Sequence, residues 1–267
     1  MHLWLLPALV LLLNLRLRAE TAAPSPTANE IITRFIERSR ANSNRQAEFA
    51  ISFIRRTTAE QIDARGTAKE RKTKEQLVEL RGFEQSVRLL TLNGRPVTAQ
   101  ESSRESEEES ARRRRFATRS DRNQRGNIDF IDEKLIRRFT FAPDGTEIID
   151  GRLAFRLRFG AADQPEAKEI ADRVLGLLAG TVWIDAEQFE LAKLDASLTS
   201  GFTFWGGIVG SLDRFEMKLD RQRLDNGLWV NRRLTSRLGG RKLLARFEGR
   251  FQVEQDSFQL LDPVRTQ

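Results

Sequence analysis

The stretch "LLARFEGRFQVEQ", residues 243–255, alternates apolar or small side chains with polar ones along its whole length. The first set is Leu243, Ala245, Phe247, Gly249, Phe251 and Val253. Because successive side chains of a β-strand point to opposite faces, this alternation predicts a strand with one apolar and one charged face. Such one-sided strands are typical of antiparallel sheets that have one face against the core and one in water.

The preceding segment "DRFEMKLDRQRLDNGLWVNRRLTSRL", residues 213–238, repeats the pattern. Phe215, Met217 and Leu219 alternate with charged residues, and "DNG" at 225–227 is a strong turn signal. Apolar residues then return at Leu228, Val230 and Leu234. The C-terminal third is therefore predicted to be consecutive antiparallel strands.

The segment "GTVWIDAEQFELAKLDASLTSGF", residues 180–202, is rich in acids and could hold a catalytic pair. Alternation places these apolar residues on one face of a hairpin: Val182, Ile184, Ala192, Leu194, Ala196 and Leu198. Asp185, Glu187 and Glu190 then fall at the turn, and Asp195 on the polar face. Glycosidase-type catalysis needs two carboxylates in a cleft with pKa values pushed apart, and turn acids in water lack that environment. We predict a structural hairpin.

Two helices are predicted beside the strands. "TANEIITRFIERSRANSN", residues 27–44, has an apolar stripe at Ile31, Ile32, Phe35 and Ile36, and Thr27 or Asn29 can cap it. The apolar segment 166–178 is the second. Both are candidates to cover the apolar face of the sheet.

A charged segment at about 98–126 has almost no apolar residues, so we expect a solvated helix or a disordered insert. It contains Arg112, Arg113, Arg114 and Arg115, which are candidates for contact with an anionic surface. The simpler interpretation of these four arginines is a solvated helix face.

Composition excludes most catalytic chemistry. The 267 residues include no Cys, no Tyr and a single His, His2. The mature chain therefore has no imidazole base, no Ser-His-Asp triad, no His metal ligand and no thiol nucleophile. We predict a protein that is not an enzyme and that has no metal site and no cofactor.

Residues 1–19 contain the apolar run Leu3–Leu13, which has the length of a signal-peptide core, although Arg16 and Arg18 follow this core instead of preceding it. We predict export to the periplasm without a lipidated cysteine anchor, and one domain over residues 20–267. The net charge of +7 would suit nucleic acid. Export favours anionic lipid head groups, cell-wall polymers or acidic proteins instead.

The order of features resembles a family of exported bacterial proteins. Its members are described as outer-membrane lipoprotein-sorting-like, of the LolA/LolB/RseB superfamily. The resemblance rests on "IIDGRLAFRLRF", "LAGTVWID", "LAKLDASL", "FTFWGGIVGSLDRFEM", "NGLWV" and "LLARFEGRFQVEQDSF", and it covers most of the mature chain. It implies an α+β, mostly β fold: a curved antiparallel sheet, an unclosed half-barrel, with helices over its concave face. In carriers of this superfamily the concave face holds acyl chains.

The resemblance thus implies a periplasmic carrier or binding module for lipoproteins or other acylated amphiphiles. An apolar sheet face must either pack against helices or be offered to a ligand. The candidate cavity-lining residues are Phe215, Met217, Leu219, Phe247, Phe251 and Val253. The alternative for each residue is a plain core position. The alternative function is an envelope protein-interaction or sensor module without lipid cargo.

Overall fold

The structure is a computed structural model of the chain. It describes residues 25–45, 49–63, 66–82, 84–119, 133–162, 170–204, 210–243 and 245–262, with the backbone alone at 43–45, 112–119, 133–134 and 170–171. The predicted signal peptide, residues 1–19, lies outside the described residues.

The described chain contains four helices and twelve strands. The helices are α1 (Ala28–Arg45), α2 (Ala99–Arg119), α3 (Glu133–Ile136) and α4 (Ile170–Leu175). The first eight strands are β1 (Ala50–Ile62), β2 (Ala68–Arg81), β3 (Glu84–Leu92), β4 (Arg95–Pro96), β5 (Phe139–Ile149), β6 (Arg152–Ala161), β7 (Leu178–Asp185) and β8 (Leu191–Leu198). The last four are β9 (Phe202–Phe204), β10 (Gly210–Arg223), β11 (Trp229–Lys242) and β12 (Ala245–Leu260).

All twelve strands form one antiparallel sheet in the order β4-β3-β2-β1-β12-β11-β10-β8-β7-β6-β5, with β9 beside β10. The sheet is not closed into a barrel. The predicted fold class, a mostly β half-barrel with helices on its inner face, is confirmed. The hairpin of β10 and β11 pairs Leu219 with Leu234, as the alternation predicts.

Directly paired residues of neighbouring strands lie on the same face of the sheet, so the register defines cross-strand rows. One row on the inner face runs from Leu157 through Val182 and Leu194 to Leu219, and then to Leu234. The main core cluster forms where α1 covers this row, because Ile31 and Phe35 of α1 pack there with 2% and 6% of their surface exposed. A second cluster, around Phe53 and Val78, lies on β1 and β2.

One part of the β7–β8 hairpin prediction is wrong. The register shifts between Trp183 and Ile184, which pair with Lys193 and Leu191. The shift turns Ala192 to the outer face, where it packs against Trp183. A bulge of this kind reverses side-chain facing, and simple alternation does not reveal it.

The charged segment is a helix over its described part. Thr98 and Glu101 form a capping box at its start: the backbone N–H of Glu101 donates to the Thr98 hydroxyl, and that of Thr98 to the Glu101 carboxylate. Ion pairs Glu105–Lys74 (2.6 Å) and Glu109–Arg55 (3.4 Å) then hold α2 on the inner face of β2 and β1. Residues 120–132 lie outside the described residues.

Candidate ligand cavity

An apolar cavity of about 240 Å³ lies between the inner face of the sheet and helices α1, α3 and α4. All the described side chains that line it are apolar. They are Ile32, Phe35, Leu135, Ile136, Phe139, Phe141, Phe159, Leu175, Leu178, Val182, Ile184, Leu191, Leu194, Ala196, Phe215 and Met217. A site of this composition favours hydrocarbon over a polar ligand.

Helix α1 forms the roof of the cavity. Its start is fixed by a capping box, in which the backbone N–H of Glu30 donates to the Thr27 hydroxyl and that of Thr27 to the Glu30 carboxylate. The hydrogen bonds from Thr27 hold the pKa of Glu30 below its ordinary value. Thr27 is thus the cap, and one turn further Ile32 and Phe35 point into the cavity.

The volume limits what the cavity accepts. A cavity of about 150 Å³ holds benzene, with six carbons, so about 240 Å³ holds roughly ten carbons in proportion. Sixteen-carbon acyl chains exceed this volume. Such a chain would fill the cavity and continue beyond it.

A groove of about 650 Å³, with both apolar and polar lining, adjoins the cavity between α1 and the edge strand β5. The two spaces share Ile32, Ile136, Phe139 and Phe141 as a common wall. The groove adds polar and charged side chains: Asn29, Thr33, Glu37, Arg40, Arg137 and Thr140. An apolar cavity beside a groove that carries polar and charged side chains matches the two halves of an amphiphile.

A buried polar cluster ties α1 to the sheet at the other side of the roof. Glu190, which is 4% exposed, accepts bonds from Arg38 (3.3 Å) and Asn42 of α1 and from Arg221 of β10 (3.5 Å). Arg221 also donates to the carbonyls of Leu191 (3.4 Å) and Trp229 (3.1 Å). A buried carboxylate is tolerated here because two guanidinium groups and an amide satisfy it.

A second acid of the hairpin is also buried, contrary to the expectation that the turn acids face water. Asp185 is 1% exposed and makes a two-point bond with Arg152, at 2.7 and 2.9 Å. Burial alone would raise its pKa, but the bonds from Arg152 and from the backbone N–H of Gln188 outweigh burial and lower it. Glu187 does face the solvent. Asp185 and Glu190 are each held by arginine, which suits a structural anchor.

The structure separates the six predicted cavity residues into two groups. Phe215 and Met217 line the cavity, and Leu219 lies beside it in the core with 7% exposure. Phe247, Phe251 and Val253 are not among the described residues that line it. They share the inner face, since Phe251 is joined to Met217 through Ser236, but β12 lies two strands further from α1.

Most of the lining comes from segments outside the six predicted residues. Phe139, Phe141 and Phe159 of β5 and β6 contribute aromatic walls, and Leu135 and Ile136 contribute the α3 side. Alternation in β6 and the stripe of α1 are the sequence signals that point to this region. The segment "IDFIDEKLIRRF", residues 128–139, also indicates a short helix, and α3 lies within it.

Arg112 to Arg115 lie in the second half of α2, where the structure describes only the backbone. Their proposed contact with an anionic surface remains a prediction. No group of three or more Asp, Glu, His or Cys side chains with metal-site geometry occurs among the described residues. None of the described helices has the length and apolar character needed to cross a bilayer.

No protein-family model and no curated protein matches the chain. Solved structures do match, at 8–12% identity. A DUF1329 family protein from Desulfovibrio piger has a TM-score of 0.35 and 10% identity, covering 91% of this chain and 96% of its own. A LolA superfamily protein from Nitrosomonas europaea has a TM-score of 0.34 and 12% identity, covering 89% and 95%.

A putative outer membrane lipoprotein-sorting protein domain from Vibrio parahaemolyticus has a TM-score of 0.31 and 8% identity, covering 86% of this chain and 93% of that one. At these TM-scores the likeness is distant and carries no information about ligand or partner. A LolA superfamily protein and a lipoprotein-sorting domain are thus among the solved structures to which this chain is similar, as the resemblance in its sequence predicts.

Proposed function

We propose that the protein is a non-enzymatic periplasmic carrier or binding module that holds the acyl chain of a lipoprotein or another acylated amphiphile. The observation that supports this proposal is the cavity itself, which is covered on one side by α1 and, among the described residues, is lined by apolar side chains alone. The groove beside it carries polar and charged side chains that can contact the head group. Binding and release require no covalent chemistry, in keeping with the absence of Cys and of any His beyond His2.

The energetics indicate reversible binding. Burial of each methylene contributes about 0.8 kcal/mol, so roughly ten carbons contribute about 8 kcal/mol. Association costs at least about 4 kcal/mol in lost translational and rotational freedom. The cavity alone therefore supports weak binding, and contacts of the head group and of the remaining methylenes must supply the rest.

The proposal is tested with a fatty acid that carries a solvent-sensitive fluorophore at its far end. Ala196→Leu adds bulk inside the cavity, whereas Ala142→Leu makes the same change at an exposed position of β5. Ala196→Leu should weaken binding at least about tenfold and raise the thermal midpoint of the free protein, because it fills empty space. Equal binding by both variants would contradict the proposal.

A protein-interaction module is the second candidate, and the position of β5 favours it. Within the described chain β5 pairs with β6 alone, so its other edge borders the groove with unpaired backbone groups. Such an edge accepts an extended peptide as an added strand. This candidate is supported instead if the purified protein carries no acyl chain and Ala196→Leu leaves binding of its partner unchanged.

A further inference from the structure

The end of the β11–β12 hairpin carries three exposed cations, Arg241, Lys242 and Arg246, and a fourth, Arg250, lies four residues further along β12, roughly 13 Å from Arg246. Within the described residues none of the four takes part in an ion pair, and Arg241 bonds only the Ser211 hydroxyl, at 3.5 Å.

The same two strands pair their other arginines with acids. Arg233 lies 2.9 Å from Glu254, and Arg237 is bonded to Glu248. Glu60 stands directly opposite Arg250 on β1 and is ion-paired with Arg71, at 3.6 Å. The positive charge of the hairpin end is therefore left uncompensated by the fold.

The register makes this charge unfavourable for the isolated protein. Arg241 stands directly opposite Arg246. Like charges at paired positions of a sheet are destabilising. An arrangement that costs stability calls for a role outside the fold, and an anionic partner would remove the cost.

The turn between the strands presents an apolar side chain to the solvent. Leu243 has 62% of its surface exposed and a φ of 55°. The left-handed region suits glycine or asparagine and is strained for a bulky residue. Strained positions that persist point to a functional requirement. An exposed leucine between cations has the chemistry of a segment at a membrane interface.

The hairpin end lies at the same end of the sheet as the cavity. Phe215, which lines the cavity, pairs with Leu238, and β11 continues for four residues from there to Lys242. At about 3.3 Å per residue this distance is roughly 13 Å. A surface that contacted the hairpin end would therefore be near the cavity.

We propose that this hairpin end docks on the surface of an anionic lipid bilayer. Arg241, Lys242 and Arg246 contact the head groups, and Leu243 inserts between them. The charge complementarity and the exposed leucine favour a bilayer over an acidic protein, which would not need an apolar tip. This inference goes beyond the proposed ligand and does not depend on it.

The test is co-sedimentation of the full protein with vesicles of phosphatidylcholine, with and without phosphatidylglycerol. Binding is expected only to the anionic vesicles and should weaken as salt is added. The variant Arg241→Gln/Arg246→Gln should bind at least about tenfold more weakly, since each cation near the surface contributes substantially. Arg88→Gln/Lys218→Gln removes the same charge from exposed positions elsewhere and should bind like the unmodified protein.

Leu243→Gly provides an independent readout. It should raise the thermal midpoint, because glycine relieves the strained backbone, while it weakens vesicle binding. If Leu243 served the fold alone, Leu243→Gly would not combine a higher thermal midpoint with weaker vesicle binding. Equal binding to neutral vesicles, or loss of binding to the same extent in the Arg88/Lys218 control, would overturn the proposal.

Discussion

Glu190, the residue before β8, accepts a hydrogen bond from Arg38 of α1, with 3.3 Å between Oε1 and Nε. This contact, together with Arg221 of β10, joins the roof of the cavity to its wall. The cluster is the polar counterpart of the apolar contacts that Ile32 and Phe35 make from the same helix.

Glu190→Gln should therefore loosen α1. The substitution leaves the guanidinium of Arg221, which is 9% exposed, without its buried counter-charge, and removal of one partner of a buried pair costs about 3 kcal/mol. Hydrogen exchange of the α1 amides should accelerate more than that of β7. Glu37→Gln, an exposed change on the same helix, should alter stability by less than about 0.5 kcal/mol. Uniform acceleration in both elements would show that the cluster does not act on α1.

Asp185→Asn should destabilise the β7–β8 hairpin by about 3 kcal/mol, because Arg152 loses its two-point partner at a site where Asp185 is 1% exposed. Glu187→Gln removes an exposed bond of the same arginine and should cost at most about 1 kcal/mol. Denaturant unfolding measures both values. Equal costs would contradict the assigned difference in burial.

Gly180→Ala should be strongly destabilising. A Cβ at this position would lie 1.9 Å from the backbone carbonyl oxygen of Asp195 on the paired strand. Neither backbone can retreat without breaking the ladder, so a cost of about 3 kcal/mol is expected. Gly160→Ala makes the same change where no atom lies within 4 Å of the new Cβ, and it should be neutral or slightly stabilising.

Acid should release the start of α2. The bonds from Arg95 and from the backbone N–H of Thr98 lower the pKa of Glu101 from 4.5 to about 2. A lowered pKa means that the ionised acid stabilises the folded state above about pH 4.5, and that this contribution disappears as pH falls towards 2. Amide exchange at the first turn of α2 should rise over this range. Glu101→Gln should remove the pH dependence of that turn.

Alternation predicted β10, β11 and β12 because their outer faces are almost continuously charged. It also placed Phe215 and Met217 correctly on the inner face. It could not show that α1 covers Met217 but not Phe251, since this depends on which strands lie beneath the helix. Strand order is a long-range property that periodicity does not contain.

The burial of Asp185 and Glu190 was likewise hidden from the sequence. Both acids flank a turn, which normally indicates solvent exposure. Their partners Arg152 and Arg38 are 33 and 152 residues away along the chain, so only the folded register brings the charges together. The one sequence signal that could have suggested these ion pairs is the presence of arginines in neighbouring elements.

Met217 offers the most direct test of the acyl-binding proposal. The chain contains two methionines, Met1 and Met217, so labelling of methionine methyl groups gives one probe inside the cavity. Titration with a fatty acid spin-labelled near its terminal methyl should broaden the Met217 resonance, and Ala196→Leu should suppress the broadening. An unchanged Met217 resonance at saturating fatty acid would contradict an acyl-binding cavity.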